Sequence, residues 1–117
     1  MTKPENGKAD EKFVRGNALE FVTWQAGGIV SREILKRRAG TVTLFAFDEG
    51  QGLSEHTAPF DALVHVLDGV AEISIGGTPN RLAKNDMILM PANVPHAVKA
   101  LERFKMLLVM IRDLPSA

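Results

Sequence analysis

Residues 50 to 69 read Gly50-Gln-Gly-Leu-Ser-Glu-His56-Thr-Ala-Pro-Phe-Asp-Ala-Leu-Val-His-Val-Leu-Asp-Gly69, and the rest of the chain is organised around them. The Asp68-Gly69 pair separates two apolar runs, and this dipeptide is one of the strongest short signals for a β-hairpin. A second stretch, residues 85 to 100, again combines turn residues, apolar residues and a histidine, His96. Both stretches predict short strands joined by tight turns.

Similar β-type segments continue on either side. As a strand, residues 29 to 36 would place Val30 and Ile34 on one side and Ile29 and Leu35 on the other. Residues 41 to 47 are rich in β-branched and aromatic side chains, as strands are. Turn residues recur at about the 8 to 12 residue spacing of an all-β sandwich or barrel. The remaining strands are expected at residues 62–67, 70–75, 80–83, 87–90, 96–101 and 104–112, after an opening strand or short turn at 17–24. We expect about ten strands in two antiparallel sheets, without an amphipathic helix.

Length and composition limit the classes of protein that this chain can represent. Its 117 residues suit one domain, which we place at residues 13–117, after a polar tail at residues 1–12 that we expect to be disordered. Lys and Arg total 14 and so do Asp and Glu, so the chain lacks the basic surface expected of a nucleic-acid-binding protein. The sequence therefore predicts a single domain that does not bind nucleic acid.

The chain also lacks features of secreted and membrane proteins. It contains no cysteine, which leaves neither disulfides nor thiolate metal sites. Residues 1–12 lack the apolar core of a signal peptide, and no apolar run approaches the roughly 20 residues of a membrane span. We expect a cytoplasmic protein that does not associate with membranes.

The last predicted strand is apolar on both faces from Met106 to Ile111. A strand of this kind is covered on both sides, because a large exposed apolar patch is unfavourable in water. In a domain this small, we expect the second cover to be another copy of the chain. The sequence therefore predicts a homodimer with this strand at or beside the interface.

Two spaced motifs resemble those of the cupin superfamily, the small double-stranded β-helix barrels with a jelly-roll-like arrangement of two sheets. The first family motif runs Gly, five residues, His-x-His, three or four residues, Glu, six residues, Gly. The second runs Gly, five residues, Pro-x-Gly, two residues, His, three residues, Asn. The matching positions, without a gap, are Gly50, His56, Ala58, Ala62 and Gly69, and then Asn85, Pro91, Asn93, His96 and Ala100.

The departures from the motifs are of two kinds. Asn85 and Asn93 replace glycines at turns, and asparagine also enters the left-handed backbone region readily, so those turns should form. Ala58 and Ala62 replace a His and the Glu of the family's metal site and have no donor atom for a metal. The resemblance therefore implies a barrel whose metal site has lost two of its four ligands.

His56 and His96 remain, and the resemblance implies that they face each other in the barrel. Two imidazoles are fewer than the three protein ligands that a catalytic zinc usually has. We therefore expect a small-molecule-binding barrel with a reduced two-histidine site. Its pocket is expected to be lined by His56, His96, Val64, Val66, Met90 and Val98.

The alternative is a metal-dependent enzyme, a dioxygenase, isomerase or decarboxylase, in which His56 and His96 hold a divalent zinc, nickel or iron ion. A metal-free epimerase-like cupin with a histidine general base is a third reading, although the chain has no tyrosine to act as the opposing acid. Fold alone does not choose among these chemistries, and neither the ligand nor any reaction follows from the sequence.

Three further side chains near the motifs have their own expectations. Asp61 is one position from the lost Glu, so it should point away from the cavity, because adjacent residues of a strand face opposite sides. His65 falls on that same opposite face, where we expect a packing or interface role. Trp24, the only tryptophan, precedes a Gly-Gly break and is expected to cap the barrel mouth.

Overall fold

The computed structural model describes residues 13 to 115; the expected disordered tail at residues 1–12 lies outside them. The described residues form nine strands: β1 (Ile29–Arg37), β2 (Gly40–Phe47), β3 (Gly52–His56), β4 (Asp61–Asp68), β5 (Ala71–Ile75), β6 (Thr78–Leu82), β7 (Met87–Met90), β8 (His96–Ala100) and β9 (Phe104–Ile111). A five-stranded sheet has the order β1-β2-β9-β4-β7, and a four-stranded sheet has the order β3-β8-β5-β6. The all-β prediction of two antiparallel sheets is confirmed.

The stretch at residues 17–24, expected to form an opening strand or a short turn, contains a short 3-10 turn, Ala18–Glu20. The Asn17 side chain caps this turn by accepting a hydrogen bond from the Leu19 backbone N–H. Asparagine is a favourable residue at such a position because its side-chain oxygen satisfies an otherwise unpaired backbone donor. Local capping therefore decided between the two readings of this stretch.

The hairpin prediction at Asp68-Gly69 is wrong. β4 pairs with β7 and β9, whereas β5 pairs with β6 and β8, so the turn carries the chain from one sheet to the other. Gly69 has φ +83°, as the turn signal implied, but the pairing of the flanking strands is decided by distant parts of the chain. The Gly76-Gly77 turn, by contrast, does close a hairpin, between β5 and β6.

The barrel core lies between the inner faces of the two sheets. Its largest fully buried side chains include Phe47 and Phe104, whose rings stack with their centroids 4.7 Å apart. The buried members of this cluster are Phe47, Ala62, Val64, Val66, Ala71, Ile73, Leu82, Met90, Val98, Ala100, Phe104 and Met106. Alternate residues of β2 and β9 thus point into the barrel, and the residues between them point outward.

A second apolar cluster covers part of the outer face of the five-stranded sheet. The N-terminal segment, defined here as residues 13–24, contributes Val22, Phe21 and Trp24, which pack with Leu44 of β2 and Leu107 of β9. The cover over this part of the last strand therefore comes from the same chain. Sequence reasoning missed it because residues 17–24 show no clear periodicity that would assign them an apolar face.

Trp24 anchors this segment and does not cap the barrel mouth, so that expectation is corrected. Its indole N–H donates to the Phe104 carbonyl oxygen at 3.1 Å. The Arg103 guanidinium and the Lys105 ammonium lie 4.4 Å and 4.5 Å from the centre of its ring. The Lys105 ammonium also donates to the Leu19 carbonyl oxygen at 2.6 Å. Cation–π contacts of the Trp24 ring with Arg103 and Lys105 thus help to hold the segment on the sheet.

A nearby loop carboxylate completes this corner. The Gly27 backbone N–H donates to Asp48 at 2.7 Å, and the Arg103 side chain approaches the other carboxylate oxygen at 4.0 Å. The hydrogen bond from Gly27 is the largest of the interactions that lower the pKa of Asp48 from its usual value.

Residues 13 to 115 contain no helix with the length and apolarity needed to cross a bilayer.

Candidate ligand site at the barrel mouth

The two motif histidines are brought together at one end of the four-stranded sheet. His56, the last residue of edge strand β3, is directly opposite His96, the first residue of β8. Their ring centroids are 4.4 Å apart and the ring planes meet at 66°. His96 is buried, with 6% of its surface exposed, whereas His56 is exposed. The pair therefore reaches from the barrel interior to solvent.

Each histidine is oriented by a backbone carbonyl two residues before it. His56 Nδ1 lies 2.9 Å from the Ser54 oxygen, and His96 Nδ1 lies 3.2 Å from the Val94 oxygen. A carbonyl oxygen only accepts hydrogen bonds, so both Nδ1 atoms carry the proton. In the neutral rings, both Nε2 atoms are consequently unprotonated and serve as acceptors or metal ligands.

The turn between β7 and β8 positions His96. Asn93 has φ +65°, and Asn85 has φ +75°, so both asparagines adopt the left-handed conformation expected of them. The Asn93 backbone N–H donates to the Ala58 carbonyl oxygen at 2.8 Å. This bond ties the segment after β3 to the turn before β8, and so connects the two motifs beside the histidines.

Asp61 stabilises the same turn. Its carboxylate accepts a hydrogen bond from the Ala92 backbone N–H at 2.8 Å. The side chain thus has a structural partner in the turn and is exposed, as the alternation of β4 indicates. Asp61 therefore does not replace the glutamate that the family motif has at the position of Ala62.

Near Ala62, the wall formed by the five-stranded sheet is apolar, and β2 adds two threonines, Thr41 and Thr43, to its inner face. Ala62 of β4 is 2% exposed and lies in register with Met90 on one side and Met110 on the other. Thr41 of β2 continues the same row beside Met110. The Thr41 hydroxyl oxygen is buried without a hydrogen-bond partner among the described residues. Such an atom is costly to leave unpaired, so it favours a polar partner from outside residues 13–115.

Sequence reasoning missed Thr41, although a signal was present. Phe45 and Phe47 both pack in or against the barrel core, and residues of the same parity in a strand share a face. Counting back from these rings places Thr43 and Thr41 on the inner face of β2. A polar residue at such a position is an informative departure from an apolar inner face.

Of the other expected pocket residues, Met90 lies beside Ala62 and the three valines belong to the barrel core. Val64 and Val66 are fully buried, and Val98 and Met90 are 5% and 4% exposed, all within the barrel core cluster. His65 has the opposite parity in β4, and its register partners are Met87 and Leu107. The structure therefore includes the four apolar residues in the barrel core cluster and places His65 on the outer face.

The donor set does not fit a complete metal site. Residues 13 to 115 contain no group of three or more His, Cys, Asp or Glu side chains arranged to hold a metal ion. Ala58 and Ala62 contribute no donor atoms, and Asp61 is engaged by the Ala92 N–H. The two Nε2 atoms alone fall one ligand short of the usual catalytic zinc set.

Comparison with known proteins agrees with the fold and the motifs. Residues 43–111 match the sequence model of a family described as Cupin domain. A conserved protein of unknown function from Streptococcus pyogenes is 34% identical, with a TM-score of 0.83; the match covers 100% of this chain and 98% of that one. No curated protein gives a significant match.

Two further solved structures extend the comparison. A cupin 2 conserved barrel domain protein from Leptotrichia buccalis is 40% identical over 80% of this chain and 46% of its own, with a TM-score of 0.78. A cupin superfamily protein from Desulfitobacterium hafniense is 24% identical over 88% of this chain and 97% of its own, with a TM-score of 0.80. The last likeness concerns the fold alone.

Proposed function

The chain belongs to the cupin superfamily, and from that premise we propose that it binds a small polar molecule at the two-histidine end of the barrel. The observation that carries this proposal is the pair of Nε2 acceptors left by the Ser54 and Val94 carbonyls. A ligand with two O–H or N–H donors can satisfy both. Binding of this kind requires neither a metal nor a chemical step.

The opposite wall supports a ligand of mixed character. The unpartnered Thr41 hydroxyl offers a hydrogen bond, while Met90 and Met110 offer flexible apolar contacts in the same row. Pockets of this type combine a mainly apolar lining with a few polar groups that orient the ligand. The ligand class is therefore a small molecule with hydrogen-bond donors along one edge and an apolar side.

The second candidate function is a metal-dependent enzyme using His56 and His96, and one observation favours it. Histidines that bind metals almost always donate their other ring N–H to a carbonyl or carboxylate, as these two do. Against it stands the missing third donor within the described residues. A bound ion would need ligands from outside this set, so we rank metal-free binding first.

Replacing either motif histidine by alanine is expected to weaken ligand binding. Loss of one hydrogen bond corresponds to roughly 0.5–1.5 kcal/mol, or about two- to twelvefold in affinity. Compounds that bind the wild-type protein would be found by a thermal-shift screen of small polar molecules. Their affinities for H56A and H96A would then be measured by calorimetry.

His65→Ala is the matched control, because this histidine lies on the outer face of the five-stranded sheet, whereas His56 and His96 belong to the four-stranded sheet. We expect H65A to retain wild-type affinity for those compounds. Metal content, measured by mass spectrometry after purification without chelators, should stay well below one ion per chain in all four proteins. Near-stoichiometric metal in the wild-type protein that disappears in H56A and H96A would reverse the ranking of the two functions.

We also propose that the protein is a homodimer through the outer face that the N-terminal segment leaves open. Met87, Leu89 and Ile111 are 61%, 55% and 61% exposed, and Leu63 of β4 pairs with Leu89 on one side and Val109 on the other. A row of uncharged side chains can pack against its own copy across a two-fold axis without like-charge repulsion. Dimerisation would remove these apolar side chains from water, which is the reason for the dimer expected from the apolar last strand.

Light scattering coupled to size exclusion should give a mass near twice the 12.8 kDa of one chain. Leu89→Glu should give the monomer mass, because a dimer would bury its charge in the interface. Leu53→Glu, at a 38% exposed position on the other sheet, is the control that should remain dimeric. A monomeric wild-type protein at micromolar concentration would contradict the proposal.

A further inference from the structure

A cavity of about 210 Å³ lies outside the barrel, between the N-terminal segment and the five-stranded sheet. Its floor consists of the apolar side chains Ile34, Val42, Leu44, Leu67 and Leu107. Leu44 and Leu107 are outward neighbours of Phe45 and Met106, which face the barrel core. The cavity is therefore on the outer face of the five-stranded sheet, whereas the histidine pair belongs to the four-stranded sheet, and they are separate sites.

The roof of the cavity comes from the N-terminal segment and carries positive charge. Arg15, Ala18 and Phe21 line it, and Arg15 is exposed. The Arg32 guanidinium of β1 lies 4.7 Å from the centre of the Phe21 ring, so a second cation lies near the cavity. The only acidic side chain of residues 13–24 is Glu20, which is exposed. The cavity thus combines apolar walls with the Arg15 guanidinium, and the Arg32 guanidinium lies beside the lining residue Phe21.

The size of the cavity limits its occupant. An apolar protein cavity of about 150 Å³ accommodates benzene and stays free of water. At about 210 Å³, this cavity has room for one aromatic ring with a short substituent, or for an acyl chain of roughly six to eight carbons. A ligand whose apolar part has that size would remove the floor residues from water. This burial of apolar surface would supply most of the favourable free energy of binding.

We propose that this cavity binds a small carboxylate with an apolar body, its carboxylate facing Arg15 and Arg32. The planar guanidinium group matches a carboxylate geometrically and is less strongly hydrated than a lysine ammonium. The roof is already held on the sheet by Trp24, through its bond to the Phe104 carbonyl. A cavity whose roof is anchored loses less entropy when a ligand enters than one that must first assemble.

The test is a titration of the full-length protein with octanoate and with phenylacetate, followed by NMR of labelled Ile, Leu and Val methyl groups. We expect shifts at the five floor residues and none at the histidine ring resonances of the barrel mouth. The uncharged analogue 1-octanol should produce shifts at the same methyl groups but bind more weakly. Failure of both carboxylates to shift any floor methyl at millimolar concentration would overturn the proposal, as would shifts centred on His56 and His96.

Two variants separate the charge from the cavity. Arg15→Gln should weaken octanoate binding about two- to fivefold, the range for an exposed ion pair, without changing 1-octanol binding. Arg38→Gln removes a charge from the turn between β1 and β2 and should change neither. Equal weakening of octanoate and 1-octanol by R15Q would show that the carboxylate is not recognised there.

Ala18→Leu tests the cavity itself, because the larger side chain extends from the roof into the space. We expect it to abolish the floor-methyl shifts with octanoate, with an unfolding temperature close to that of the wild-type protein. Because Ala18 is exposed and its 3-10 turn contains no buried residue, the substitution should not perturb the barrel core. Unchanged octanoate affinity in a folded A18L protein would overturn the proposal.

Discussion

Substitution of Ala58 by His together with Ala62 by Glu is expected to give a protein that binds zinc or nickel stoichiometrically. These are the two motif positions where the chain departs from the family's ligand set, and the Ala58 carbonyl already bonds to the turn before His96. The site would then contain four protein donors, because the new His and Glu join the Nε2 atoms of His56 and His96. At a metal concentration 100 times the dissociation constant, the added stability is about 2.7 kcal/mol.

Differential scanning calorimetry measures this effect directly. For a domain of this size, 2.7 kcal/mol corresponds to a rise in Tm of roughly 10 °C or more upon metal addition. Without metal, the same variant should be less stable than the wild-type protein. Ala62 is 2% exposed, so the introduced carboxylate is removed from water, beside Met90 and Met110, and no metal ion offsets that cost.

The matched control is A58H combined with Ala62→Gln, which has nearly the same shape but no charged ligand. Its metal-dependent rise in Tm should be clearly smaller. If the His and Glu variant bound metal no more tightly than the wild-type protein, positions 58 and 62 would not converge with His56 and His96. The assignment of this end of the barrel as the former metal site would then be wrong.

Gly69→Ala is expected to be the most destabilising single substitution proposed here. Gly69 has φ +83°, and a Cβ atom at this position would clash with the Arg103 carbonyl oxygen and lie 2.7 Å from Phe104 Cα. Both contacts are to backbone, which cannot rotate away, so the crossing between sheets or the start of β9 must shift. We expect a loss of at least about 4 kcal/mol in the free energy of unfolding, a large share of the total for a small domain.

Gly77→Ala separates the clash from the backbone conformation. Gly77 has φ +85°, nearly that of Gly69, but a Cβ atom there would meet no atom within 4 Å. We expect only the conformational cost of about 1–2 kcal/mol. Urea denaturation of both variants provides the comparison, and similar losses for the two would show that the close approach to Arg103 is not what requires glycine at position 69.

Local chemistry explains what could be predicted. Alternation and turn residues indicated most of the strands, and the side-chain preferences of Asn85 and Asn93 correctly predicted their left-handed conformations. The absence of donor atoms at Ala58 and Ala62 follows directly from the residue types. Strand β3 was harder to recognise, because Gly52–His56 is exposed at every position and so lacks the alternation of a half-buried strand.

The sequence by itself determined the all-β class, the spacing that pairs His56 with His96 and the loss of two ligands, because each depends on residue type and separation along the chain. Only the tertiary structure decided that Asp68-Gly69 crosses between sheets and that residues 17–24 cover Leu107. It also decided that both Nδ1 atoms meet carbonyl oxygens. These features depend on contacts between residues distant in sequence or on backbone orientation in the folded barrel, and a local pattern of side chains carries no information about either.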